Sequence, residues 1–87
     1  MEDIQILEKV KSVVIKQFYI SEQEINPELH FIKDLNADSL DIMEFTMFLE
    51  EEFKDYDLSI PEDEVENLLT IEKMVSYISS YIKEHQN

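Results

Sequence analysis

The chain has no cysteine and no glycine, only two prolines, and 7 basic residues against 21 acidic ones in a length of 87. Without cysteine there is neither a disulfide framework nor a zinc–thiolate site. Without glycine every turn falls to residues that carry a Cβ. Asn26, Asn36 and Asn67 stand where loops or helix ends are expected, and asparagine tolerates the left-handed conformation better than most residues. No apolar run approaches the length of a membrane span and no signal-peptide pattern opens the sequence, so a cytoplasmic protein is expected. Alternating apolar and polar residues are scarce, which argues against sheet.

What is present is enough for one small core: 44% of residues are hydrophobic, and residues 1–87 make a single domain with too little chain for a second. The net charge of −14 is unevenly spread. From Asp34 to Glu66 there are 13 acids against the single base Lys54, a net of −12, while the rest of the chain carries 8 acids and 6 bases, a net of −2. Such a field repels nucleic acid and anionic membrane and draws in basic protein partners, although a solvated acidic face also serves solubility alone.

Helical spacing dominates. Ile4, Leu7, Val10, Val14 and Phe18 predict a first helix over 3–19. A long connection, Ile20 to Asp38, is interrupted by Pro27, and Phe31, Ile32 and Leu35 are the side chains available to pin it down. A second helix is expected over 39–53, and Pro61 suits the first turn of a short helix over 62–67. Thr70 is a good N-cap for a last helix over 71–84, whose Ile71, Met74, Val75, Ile78 and Ile82 form a core-facing stripe. The fold class is therefore all-α: a small four-helix bundle of three longer helices and one short one, with a long first connection.

The second helix carries two apolar stripes. Ile42, Phe45, Leu49 and Phe53 make an ordinary core face; Leu40, Met43 and Met47 are turned away from it by more than a third of a circle, flanked by Glu44 and Glu51. A domain this small does not easily bury both, so the second stripe reads as an exposed partner surface, with methionines suited to several partners. The alternative is that the long connection folds over it. Phe48 fits neither stripe. Ser39 opens this helix behind Asp38, a good N-cap, with Asp41 in the first turn. A serine there is most often a cap; free backbone N–H groups and the helix dipole would also favour a phosphodiester.

Two rival chemistries fail on spacing. Asp34-x-Asn36-x-Asp38 begins like a calcium loop, but Ser39 stands where glycine is needed and Phe45 where a bidentate glutamate is needed. A hydrolase built on Ser39 would need a base and an oxyanion site, and only His30 and His85 are available. No metal site and no catalytic residue are expected.

The run Lys33-Asp34-Leu35-Asn36-Ala37-Asp38-Ser39-Leu40-Asp41, led by Phe31-Ile32, resembles the attachment site of acyl carrier proteins. Glu50-Glu51-Glu52-Phe53, Ile60-Pro61 followed by acids, and Thr70-Ile71 continue that resemblance in order and spacing over nearly the whole chain. It implies a carrier without catalytic activity, bearing covalent 4'-phosphopantetheine on Ser39, whose thiol holds acyl groups as thioesters; the sulfur the chain lacks comes with the cofactor. It also implies that Asp38, Leu40, Asp41, Met43, Glu44, Met47 and Glu51 form the recognition face for a phosphopantetheinyl transferase and for acyl-transferring, synthase and reductase enzymes with basic docking surfaces. By the same analogy Phe45, Leu49, Ile60, Val65, Leu68 and Val75 line an acyl pocket, and the protein is a monomer serving fatty acid biosynthesis. Two departures stand out: Asn36 replaces the usual glycine, and the segment Lys54–Ser59 is longer than in typical fatty-acid carriers, which favours a dedicated pathway (polyketide, aminoacyl or specialised lipid). A plain acidic adaptor that works unmodified is the remaining alternative; for it, Ser39→Ala would be silent.

Overall fold

The structure, a computed structural model, describes residues 1–85. Its main elements are three α-helices, α1 (Asp3–Phe18), α2 (Ser39–Glu52) and α3 (Ile71–Glu84). The fourth helix, Glu62–Asn67, is 3₁₀ and not α. Four of its six residues are acids and Val65 is its one apolar side chain, so it has no stripe to bury and closes with i→i+3 bonds such as Glu64 N–H to the Pro61 carbonyl. Pro61 lies just ahead of it, at the N-cap position. Single 3₁₀ turns at Glu22–Glu24 and Lys54–Tyr56 punctuate the two longer connections.

α1 buries Ile6, Val10, Val13 and Val14, a stripe rotated from the one the spacing selects: Ile4 is 61% exposed and Leu7 only half-buried. α1 and α2 run antiparallel. Lys9 pairs with Glu52 at one end of their seam, and Gln17 donates to Glu44 at the other, 3.4 Å. Lys9 also lies over the Phe53 ring, 5.9 Å from its centre. α3 buries Ile71, Met74, Ile78 and Ile82, and its Ser79 hydroxyl donates to Asp3 at 2.7 Å, tying α3 to the start of α1.

The long connection is held by its own side chains. Phe31 is fully buried between Phe18 of α1 and Phe45 of α2, stacked on the first at 5.9 Å and edge-on to the second at 4.8 Å. Leu35 is half-buried, whereas Ile32 stays 44% exposed and does not pin the loop. Backbone bonds finish the anchoring: Phe31 N–H donates to the Leu69 carbonyl, and the Ile71 and Glu72 N–H groups at the start of α3 donate to Leu29 and Pro27. The loop thus satisfies orphan donors of α3 while α3 fixes the loop.

Candidate functional site

The N-terminus of α2 is closed by a reciprocal capping box. Asp38 Oδ1 accepts from the Asp41 N–H at 2.8 Å, and Asp41 Oδ2 accepts from the Asp38 N–H at 3.1 Å. The cap is therefore Asp38, and Ser39 is the first helical residue, exposed and with its hydroxyl not needed by the cap. Of the four leading N–H groups the box takes two, leaving those of Ser39 and Leu40 facing outward at the positive end of the helix dipole.

The turn that delivers Asp38 and Ser39 is built without glycine. Asn36 takes the left-handed conformation (φ 55) expected of it, and Asn36 and Ala37 N–H groups return to the Ile32 and Phe31 carbonyls. At the head of this turn the His30 ring acts as a cap, its Nδ1 accepting from both Ile32 and Lys33 N–H groups at 3.1 Å, while Asp34 accepts from the His30 N–H at 2.7 Å. His85, at the C-terminal end of α3, stacks on Tyr81 at 4.0 Å. Both histidines are thus committed to structural contacts. Among the described residues no group of three His, Cys, Asp or Glu side chains could hold a metal ion.

Beside Ser39 opens a groove of about 610 Å³ between α2, the 31–39 turn and the 60–69 segment. Ile32, Ile42, Met43, Ile60, Val65 and Leu69 line it; the exposed Asp38, Ser39, Glu62 and Glu66 form its rim. Of the six pocket residues expected, only Ile60 and Val65 line this groove. Phe45 and Leu49 are sealed in the core at 0% exposure, and Leu68 is buried there too, because they sit on the inner face of the bundle. Val75 belongs to a separate cleft with Leu7, Ile25 and Pro27. Two residues that periodicity passes over shape the groove: Thr46 lines it, and Glu50 accepts the Ile60 N–H at 2.8 Å, tethering its far wall to α2.

The second stripe of α2 is open. Leu40, Met43 and Met47 are 60%, 52% and 59% exposed, so the long connection does not cover them. Glu44 and Glu51 flank them, and apart from the bonds from Gln17 and Lys54 both face water. Phe48, 53% exposed, lies one turn from both Glu44 and Glu52, on the outside of the α1–α2 seam that those residues bridge. Beyond the end of α2, the Lys54–Ser59 segment is clamped from α3: Tyr77 and Tyr81 hydroxyls donate to the Ser59 and Asp57 carbonyls at 3.0 and 2.6 Å. Burial raises the Tyr77 phenol above its ordinary value, and the negative field of Glu64, Tyr81, Asp63 and Glu50 adds to it.

An accessible hydroxyl, two free N–H groups beside it and an apolar groove at its side fit a covalent phosphopantetheine arm, with a place for its phosphate and a place for a lipophilic load. Comparison with known proteins agrees. The family described as "Phosphopantetheine attachment site" matches residues 8–78. An acyl carrier protein of Helicobacter hepaticus is 45% identical over 73 residues, covering 84% of this chain and 92% of the relative. The chain belongs to the acyl carrier protein family, carriers of covalent 4'-phosphopantetheine that catalyse no reaction of their own.

Proposed function

We propose that Ser39 is the attachment point and that the chain carries acyl intermediates of fatty acid biosynthesis as thioesters on the arm. The observation that supports this most is the juxtaposition of a free, exposed Ser39 hydroxyl with the rim of the apolar groove. In the transfer, Ser39 Oγ attacks the coenzyme A phosphorus that bears the pantetheine. The new Oγ–P bond replaces the pyrophosphate P–O bond, adenosine 3',5'-bisphosphate leaves, and the Oγ proton passes to a base of the transferase, since both histidines of this chain are held in structural contacts. The cofactor supplies the thiol. This chain's residues do the rest: the Asp38–Asp41 box holds Ser39 at the first position of the helix, and the groove shelters apolar cargo.

Partner enzymes dock on α2. Asp38, Asp41, Glu44 and Glu51 attract a basic surface, and Leu40, Met43 and Met47 supply the apolar contact that makes an encounter a complex. The phosphopantetheinyl transferase, acyl-transferring, synthase and reductase enzymes are the partners this face suits, met by a monomer in the cytoplasm. The clamped Lys54–Ser59 segment favours a second reading in which the partners belong to a dedicated pathway.

Intact mass before and after incubation with coenzyme A and a transferase of broad specificity tests the proposal. One added phosphopantetheine on the wild type, and none on Ser39→Ala, is expected. An unmodified wild type, with a known carrier labelled alongside, would leave the acidic adaptor as the better account.

A further inference from the structure

Thr46 is the one polar side chain that α2 buries, at 8% exposure, and it lines the groove among apolar neighbours. Its Oγ1 donates to the Met43 carbonyl at 2.9 Å. The hydroxyl proton is thereby spent, and what Thr46 has left to offer is oxygen lone pairs. It lies seven residues past Ser39 along α2, about 10 Å at the α-helical rise, inside the ring formed by Asp38, Glu62 and Glu66.

We infer that Thr46 is a specificity-determining residue that reads the oxidation level of the cargo, favouring an acyl chain with a hydroxyl near its thioester end over one with a ketone there. A hydroxyl can donate to Thr46 Oγ1; a ketone brings only another set of lone pairs and loses its water without replacement. A plain saturated chain neither gains nor loses, since the Thr46 proton is already satisfied by Met43. The thioester carbonyl is itself an acceptor and gains nothing from this oxygen.

The inference rests on Ser39 as the attachment point, and the experiment separates the two. Wild type, Thr46→Val and Thr46→Ser are loaded with octanoyl, 3-hydroxyoctanoyl and 3-oxooctanoyl pantetheine from the corresponding coenzyme A thioesters, with loading checked by intact mass. The readout is the rate of thioester cleavage by hydroxylamine, each relative to the same thioester on free pantetheine, so that intrinsic reactivity cancels. The wild type should protect the 3-hydroxy cargo about three- to tenfold better than the 3-oxo cargo, the range one neutral hydrogen bond gives. The preference should vanish in Thr46→Val and survive in Thr46→Ser, while octanoyl protection persists in Thr46→Val and shows the groove intact. Equal protection of the two cargoes in the wild type overturns the inference, whatever the variants do; so does a preference that survives Thr46→Val. Absence of any added mass, with a known carrier loaded alongside, overturns the Ser39 reading and this one with it.

Discussion

Tyr19 ends α1 in the left-handed conformation (φ 56) with its side chain 93% exposed. Glycine commonly fills this position because a Cβ there meets the neighbouring carbonyl. Relieving that contact is worth about 1–2 kcal/mol, and the extra freedom glycine gives the unfolded chain takes back roughly 0.4–1 kcal/mol. Tyr19→Gly should therefore stabilise the fold by about 0.5–1 kcal/mol in urea unfolding. Tyr19→Ala, which keeps the Cβ and loses little packing, should change it by less than about 0.5 kcal/mol. Equal effects of the two substitutions would mean that the backbone there is unstrained. The glycine-free turns show how far residue-level reading reaches. Asn36 was legible as a left-handed residue, but Asn26 instead accepts the Glu28 N–H with its side chain, and Tyr19 and Asp57 take the other two positive-φ positions. A bulky residue is placed there by where its helix must stop, and that is decided by burial elsewhere. Asp38 was legible as the cap of α2 because capping chemistry is local. Thr46 was not, because a period count of apolar residues skips a hydroxyl that satisfies itself on its own helix.

At the scale of elements, the stripe of α3 and its Thr70 cap were readable because both are strong, short-range signals: Thr70 Oγ1 accepts from the Lys73 N–H, and the apolar positions recur at three and four. The 3₁₀ geometry of Glu62–Asn67 was not, since six mostly acidic residues carry no period to tell i→i+3 from i→i+4 bonding. Nor was the stripe of α1 in its actual rotation: α1 packs against both α2 and α3, so Ile6 and Val13 are buried with Val10 and Val14 while Ile4 stays exposed. The Lys54–Ser59 segment depends on α3 in a way that titration exposes. The folded-state pKa of Tyr77 is raised above the ordinary tyrosine value. Above that ordinary value, about 10, the unfolded chain gives up its phenol proton while the folded chain holds it. The unfolded state then binds fewer protons, and stability falls as pH rises toward the folded-state value. Below the ordinary value the contribution is fully present. The wild type should thus lose stability more steeply than Tyr77→Phe on the alkaline side, and absorbance titration of the wild type should show a phenol above the ordinary tyrosine value that is missing from Tyr77→Phe. Parallel pH–stability curves for the two proteins would show that the clamp to Ser59 does not depend on the phenol's protonation.

At the scale of the whole molecule, the distribution of charge matters more than any pair. Of the thirteen acids between Asp34 and Glu66, eleven lie on α2, the Lys54–Ser59 segment and the 3₁₀ helix, with the single base Lys54 among them, and Asp34 and Asp38 lie in the turn that leads into α2. The four ion pairs among the described residues touch only Glu8, Glu22, Glu51 and Glu52, each at the surface. Such exposed pairs are worth little each, so most of the repulsion is left to solvent and counterions. Folding brings these charges closer than the unfolded chain holds them, so the native state attracts divalent cations more strongly and is stabilised by them through mass action. No three-ligand site is present among the described residues, so the effect should be diffuse and graded instead of saturating at one ion. Magnesium should raise the melting temperature more than sodium does at equal ionic strength, because a divalent ion neutralises a dense field with less loss of its own freedom than two monovalent ones. A variant with Glu62→Gln, Asp63→Asn, Glu64→Gln and Glu66→Gln, which removes four negative charges, should have a higher melting temperature without magnesium and a smaller excess response to it. Equal shifts with the two salts in the wild type would show that Debye screening alone governs the acidic face.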